Sequence, residues 1–545
     1  MIDPVAPGRW FLEEGFQKFF NTCGPCRPSR HHLVPSLDRA PVVRQMAEDD
    51  GTCFFLKGPR QSGKTTLALE LAREISAAGR FHALYMTLRE ARGARGRRLG
   101  ARLFLDALDS ALKAHPDPMV ARIEIPRDPA ACPRSAARTA LARLCSALDR
   151  PLVLLVDDMD MLSGKALQSL LDQMATGLAA GRPEAFPRSV GLFGLRGPDP
   201  SGHAGGRGGR ARGPAGRGNR ADPGLSPFSM AREIALPPFS FADIDKLCEL
   251  HAAAGGQAAS EEAKLRIWDW TEGAPWLVNA LVSTALDFVL HGDPKAPLTS
   301  AAVNEAARAL LRETPAHLRG LAGLLSDPGV RRACSDALCG GGAGQALSGG
   351  GAALALDMGL LSAGWDDRLR PAGGICRELV LRALTSHIRP PAGLRESCRG
   401  EGDGPDMTLL LQEFQRQWRW NSRSWRTPLA DIPGAGEKLP FLAFLEAALP
   451  EGAVLEKGPS AAQGGLSIAV RGNARVRPVL AVLERPGGPG HQGYLEELSD
   501  AMDAEGSAEG WLAFFDLDPA KGPDERIFWK TRTLASGRAA HVAGL

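Results

Sequence analysis

An α/β fold built on a parallel sheet is predicted by three stretches of the sequence. Cys53-Phe54-Phe55-Leu56-Lys57 is a short apolar run that reads as a buried strand, and a glycine-bearing turn, Gly58-Pro59-Arg60-Gln61-Ser62-Gly63-Lys64-Thr65-Thr66, follows it. Leu67, Leu69, Leu71, Ala72 and Ile75 then continue at helical spacing. The second stretch, Pro151-Leu152-Val153-Leu154-Leu155-Val156-Asp157-Asp158-Met159-Asp160, holds an unbroken apolar run, as a central parallel strand buried on both faces requires. The third, Ser189-Val190-Gly191-Leu192-Phe193-Gly194-Leu195, reads as a further buried strand and ends at Arg196.

The turn fits the pattern G-x-x-x-x-G-K-[ST], and its flanks are those a phosphate-binding loop needs. Strand, glycine turn and helix start aim backbone N–H groups and the positive helix end at an anion. Lys64 is placed to reach β- and γ-phosphates, and Thr65 to put its hydroxyl on Mg²⁺. Acidic residues at the carboxyl end of the second strand lie where ligands bind in open α/β sheets. Asp157 is the expected Mg²⁺ partner, and Asp158 is placed to polarise an attacking water. Arg196 has two readings, a γ-phosphate sensor or an ordinary arginine at a strand end.

A chain of 545 residues is too long for one core and implies about three or four domains. Its 44% hydrophobic and 23% charged content is that of a folded globular protein. A net charge of +3 argues neither for nor against a nucleic-acid partner at this length. No apolar stretch approaches about 20 residues, so no transmembrane helix and no membrane partner are expected. Met1-Ile2-Asp3-Pro4 lacks the layout of a signal peptide, and ten scattered Cys suit a reducing compartment, so the expected location is cytoplasmic.

Residues 1–50 form a lead-in segment. Cys23-Gly24-Pro25-Cys26 has redox spacing but no strand before it and no second pair for zinc, so it reads as two incidental loop cysteines. His31 and His32 lack a third ligand at sensible spacing and read as surface or loop histidines. Phe81–Thr87 is a second strand, with Arg92, Arg95, Arg97 and Arg98 beyond it on a solvated segment. Residues 197–224 carry Arg207, Arg210, Arg212, Arg217 and Arg220 among glycines. Without interleaved aromatics this reads as a disordered surface insert rather than an RNA-binding tail. Arg232–Pro237 is the last core strand, and helical patterns follow, one opened by Gly273-Ala274-Pro275.

The segments GPRQSGKTT, LVLLVDDMD, SVGLFGLR and GAPWLVNAL together resemble a bacterial AAA-like or STAND-type P-loop ATPase family, over about residues 10–390. The resemblance implies ATP as ligand and Mg²⁺ as cofactor, with Gly58, Pro59, Arg60, Gln61, Ser62, Gly63, Lys64, Thr65 and Thr66 around the phosphates. It implies a helical lid in which Gly273 and Pro275 close over the adenine, and a family-like lead-in at Pro35 and Arg39. The implied domains are a core at 51–240, a lid at 241–315 and a winged-helix-like unit at 316–390, with a hairpin around Gly364-Trp365-Asp366-Asp367. Where the family has Asp-Glu this chain has Asp157-Asp158, a carboxylate about one methylene further from the water, which implies slow turnover.

Residues 391–435 read as a linker and a helix ending in Trp418-Arg419-Trp420-Asn421-Ser422-Arg423-Ser424-Trp425-Arg426, basic with interleaved aromatics. Tryptophans so spaced more often plug an interdomain seam, so nucleic acid is not the favoured partner here. Residues 436–545, with strands around 466–470, 478–483 and 511–516, resemble a degenerate PD-(D/E)XK nuclease-like domain. Ser467, Ala481 and Leu483 stand where that chemistry needs Asp, Glu and Lys, and Glu484 is expected on the other strand face, so nuclease activity is not expected. The expected activity is Mg²⁺-dependent ATP hydrolysis driving a conformational switch. The alternatives are a nucleotide-gated interaction scaffold with negligible hydrolysis and a nucleic-acid-processing ATPase with a working nuclease. The sequence does not identify a protein partner.

Overall fold

The computed structural model describes residues 18–125, 132–180, 185–195, 231–339, 350–364, 368–400, 404–432, 434–449, 454–458, 465–471, 476–484, 488 and 490–545. The chain forms two compact units, Gly15–Leu250 and His251–Leu545.

In the first unit, β1 (Thr52–Lys57), β2 (His82–Thr87), β3 (Leu152–Asp157), β4 (Ser189–Gly194) and β5 (Ala231–Ala235) make one sheet in the order β2-β3-β4-β1-β5. Every pairing in it is parallel. Strand parity sorts the apolar residues onto two faces. Leu152, Leu154 and Val156 pack with Phe104 and Leu108 of helix Arg97–Lys113, Leu141 and Leu144 of helix Ala136–Ala147, and Leu170 and Met174 of helix Gly164–Ala179. Val153 and Leu155 face the other way, with Phe54, Leu56 and Phe193, and meet Leu67, Leu71 and Ile75 of helix Lys64–Ala77. Each such side chain contributes about 1.5–3 kcal/mol of transfer free energy. Gly191 lets β4 pass between its neighbours, since a Cβ there would lie 2.4 Å from Phe54 Cζ.

The lead-in folds on itself, with Phe19 N–H bonded to the Arg30 carbonyl (3.2 Å) and His32 N–H to the Phe19 carbonyl (3.1 Å). Its histidines correct half of the sequence reading: they lie in the lead-in loop, outside any named helix or strand, but His31 is 7% and His32 2% exposed, so neither is a surface residue. The His31 ring packs edge-on against Phe19 (4.7 Å), and its Nδ1 accepts the Arg27 amide (2.8 Å). A neutral imidazole satisfied by the local backbone is buried at little cost.

The second unit opens with helices, among them Glu261–Thr271, Pro275–Thr284, Ser300–Glu313 and Pro328–Cys339. The expected hairpin is present as the antiparallel pair β6 (Leu361–Ala363) and β7 (Leu369–Pro371), followed by helix Gly373–Leu384. Its turn residues Trp365, Asp366 and Asp367 lie outside the described residues. Helices Met407–Arg426 and Ala435–Ala448 then lead into β8 (Val454–Gly458), β9 (Leu466–Arg471) and β10 (Val476–Glu484). Helix Leu495–Ala504, β11 (Glu509–Asp516), β12 (Trp529–Thr533) and β13 (Ala539–Gly544) complete the unit. These six strands form a mixed sheet in the order β12-β13-β11-β10-β9-β8, parallel where β11 meets β10 and β13.

Register corrects one reading. Ser467 lies opposite Leu480 in the antiparallel β9–β10 pair, and opposed residues share a face. Ser467 therefore stands on the face of Leu480, Val482 and Glu484, and Ala481 and Leu483 point to the opposite one. Leu480 and Val482 pack with Leu498 and Met502 of helix Leu495–Ala504. The three positions do not form one cluster.

Candidate active site

At the carboxyl end of β1 the chain must turn sharply and start a helix. Gln61 (φ 62°) and Gly63 (φ 95°) both take left-handed backbone, and helix Lys64–Ala77 begins immediately. Gly58 is dictated by space, because a Cβ there would lie 2.9 Å from Ser62 Oγ. The first N–H groups of a helix have no partner within it, so those of Lys64, Thr65 and Thr66 face the mouth of the turn. Pro59 is half-buried, Arg60 and Gln61 are exposed, and Ser62 is buried.

Lys64 Nζ donates to the carbonyls of Gly58 (2.7 Å) and Pro59 (2.6 Å), which holds the ammonium inside the loop. Burial pushes it down to about 8, against the pull of Asp157, Asp160 and Asp158. Thr65 Oγ1 donates to Asp157 Oδ2 at 2.6 Å, so the two expected Mg²⁺ ligands are brought together from β1 and β3 although β4 lies between those strands. Asp157 also accepts the Tyr85 hydroxyl at Oδ2 (3.0 Å) and the Asp158 amide at Oδ1 (2.9 Å). Burial raises the Asp157 carboxyl above its ordinary value despite the Thr65 bond. Burial and the charge of Asp157 together keep the Tyr85 hydroxyl protonated.

Asp158 sits at φ 58°, which turns its carboxylate away from β3. Its Oδ2 accepts the Thr87 hydroxyl at 2.7 Å and lies 3.5 Å from Arg89 Nε. Asp160 approaches from the same strand end, with its Oδ1 3.2 Å from the position a Cβ on Gly194 would take. Tyr85 and Thr87 were missed in the sequence. The available signal was polar residues closing the strand beside β3.

The lead-in closes the other side. Cys26 N–H donates to Thr66 Oγ1 (3.1 Å), so the Thr66 side chain anchors this segment while its amide stays in the first helical turn. Arg39 donates to the Ser62 carbonyl (3.1 Å) and the Pro237 carbonyl (2.9 Å) and lies 4.8 Å over the Phe239 ring. Burial takes the Arg39 guanidinium down to about 10.

Arg196 and the insert at 197–224 lie outside the described residues. Gly273 (φ 71°) and Pro275, the first residue of its helix, belong to the second unit. In that unit the carboxyl ends of β10 and β11 border a cavity of about 300 Å³ lined by Glu484, His491, Asp516, Asp518 and Lys521 among others. Glu484 accepts from Gly490 N–H (2.9 Å) and the Tyr494 hydroxyl (2.8 Å), and Asp516 from Lys521 Nζ (2.6 Å). Among the described residues no three His, Cys, Asp or Glu side chains converge as a metal site.

Residues 40–184 match the family model of the AAA ATPase domain. No curated protein matches the chain. Among solved structures, the Walker-type ATPase of Pyrococcus abyssi is similar at 13% identity and TM-score 0.43, covering 66% of this chain and 99% of its own. The Aeropyrum pernix Orc1 protein, solved in complex with DNA, aligns at 13% identity and TM-score 0.32, over 65% of this chain and 93% of its own. The Thermotoga maritima RuvB Holliday junction branch migration motor aligns at 15% identity and TM-score 0.32, over 62% and 89%. The glycine turn and the Asp157–Asp158 pair both fall inside residues 40–184, the segment that matches the AAA ATPase domain.

Proposed function

We propose that the first unit binds ATP with Mg²⁺ and hydrolyses it slowly, as a nucleotide-driven switch of the STAND type. The observation that carries this is the 2.6 Å contact of Thr65 Oγ1 with Asp157 Oδ2, beside a lysine held in the glycine turn. A hydroxyl and carboxylates make a hard-oxygen donor set that suits Mg²⁺. Thr65 and Asp157 would hold the ion, which when bound neutralises charge on the β- and γ-phosphates. Lys64 and the first helical amides bind and orient those phosphates. Asp158 takes the attacking water, with Thr87 and Arg89 holding its carboxylate. Arg196 is assigned to the γ-phosphate, and Gly273 and Pro275 to a lid over the adenine.

In this reading the winged-helix-like unit at 316–390 and the nuclease-like domain at 436–545 act as interaction modules. On the face that carries Ser467 the two carboxylates at the strand ends are both engaged, Glu484 by Tyr494 and Gly490 and Asp516 by Lys521, and that supports a domain without nuclease chemistry. Steady-state phosphate release tests the proposal. Asp158→Asn is expected to slow release about a hundredfold or more, the usual range for a general base, with ATP affinity kept. Equal release by the variant removes Asp158 from the chemistry. The hold of Thr87 and Arg89 on Asp158 also favours a second reading, a scaffold that binds ATP without turnover, for which wild type would bind ATP and release no phosphate.

A further inference from the structure

Helix Met407–Arg426 is built to bury one stripe and expose the other. Leu410, Leu411, Phe414, Trp418 and Trp425 are buried, with Phe414 stacked on Trp418 at 5.7 Å. Two of the three tryptophans of the basic stretch are thus core residues, at 7% and 5% exposure for Trp418 and Trp425. Trp420 is not: it is 80% exposed, against 59% for Phe288, the next most exposed large apolar side chain among the described residues.

Its neighbours on the helix are basic. Arg416 and Arg423 stand four residues before and three after it, one turn away on the same side, and Arg419 precedes it. All three are exposed. Arg416 is held in a fork by Glu413 (2.6 and 2.8 Å), and Arg426 pairs with Glu437 (2.9 Å). Arg423 belongs to the last turn, where cations complement the negative helix end. That position accounts for Arg423 and Arg426, and the Glu413 fork for Arg416, but none of these contacts accounts for an indole left in water.

We propose that this face binds single-stranded nucleic acid, with one base stacked on Trp420 and the backbone phosphates paired to Arg416, Arg419 and Arg423. An exposed indole offers a flat apolar face that asks for a flat partner, and the guanidinium groups on both sides ask for anions repeated along a chain. An acidic peptide would satisfy the arginines and leave the indole unused. A duplex keeps its bases stacked inside, so only a single strand presents both groups at once. This proposal is independent of the ATP reading.

The test uses the full-length chain and a fluorescein-labelled oligothymidylate of about 15 nucleotides, followed by anisotropy at about 50 mM salt and above. Wild type is expected to bind, Trp420→Ala to bind about tenfold or more weakly, and Trp420→Phe to retain binding. Arg423→Ala is expected to lower the salt slope by about 0.7, the loss of one phosphate contact on a single strand. Unchanged melting of each variant shows that folding is intact, as exposure of these side chains predicts. The proposal is overturned if wild type does not bind, if Trp420→Ala binds as well as wild type, or if a duplex of the same length binds equally. Competition by polyglutamate that also depends on Trp420 would overturn it in favour of a protein partner.

Discussion

Removing the Tyr85 hydroxyl isolates one of the three bonds that hold Asp157. In Tyr85→Phe the 3.0 Å bond to Oδ2 is lost, while Thr65 at 2.6 Å and the Asp158 amide at 2.9 Å remain. A hydrogen bond to an ionised group contributes about 1.5–3 kcal/mol, and the two surviving donors place the expected loss in the lower half of that range. For a unit of this size each kcal/mol moves Tm by about 2–4 °C, so a fall of about 3–8 °C is expected at pH 7.5. Calorimetry of the whole chain reads it on the transition that ATP shifts upward. The sign with pH follows from Asp157. Burial raises its folded value above the ordinary 3.8, so the Tyr85 bond has its full effect above the folded value and weakens as pH falls through it. The difference between wild type and variant should therefore shrink in acid. A Tm change under about 1 °C at pH 7.5, or a difference that does not vary with pH, would refute this account of the carboxylate.

Three further outcomes are expected. ATP affinity should fall as pH rises above about 8, because the buried Lys64 loses its charge there in the free protein and polyphosphate binding must restore it; titration in buffers of different ionisation enthalpy should show proton uptake above that pH and none well below it. Gly191→Ala should destabilise the first unit by about 1–3 kcal/mol, read as a lower Tm, since its Cβ would lie 2.4 Å from Phe54 Cζ inside a packed sheet. Supercoiled and single-stranded DNA should remain uncut by the wild-type chain in Mg²⁺ or Mn²⁺, and any cleavage that Glu484→Ala abolishes would contradict the assignment of the second sheet.

The parts of the fold legible in the sequence were those where one local requirement dominates. β3 is an unbroken apolar run because both its faces are covered, and the loop is legible because Gly58 and Gly63 answer steric demands of the chain itself. β13 was not read as a strand because it is made of Ala539, Ala540 and Gly544 around His541 and Val542; its pairing with β11 and β12, and not propensity, makes it extended. The face of Ser467 could not be read because facing depends on cross-strand register, which turns on a single residue. Of the site, Thr65, Asp157 and Asp158 carried a motif. Tyr85 and Thr87 carried none, and their place beside the carboxylates follows from β2 lying next to β3. In the basic helix the sequence showed three tryptophans alike, and only packing separates Trp420 from the two that are buried.

The central claim, that the glycine turn and the Thr65–Asp157 pair form an ATP·Mg²⁺ site, is tested most directly by calorimetric titration of the full chain with ATP in the presence and absence of Mg²⁺. The account predicts one site per chain in wild type, weakened without Mg²⁺ and abolished in Lys64→Ala, since no other lysine lies in the loop to neutralise the β- and γ-phosphates. Binding by Lys64→Ala equal to that of wild type, or affinity indifferent to Mg²⁺, would contradict it.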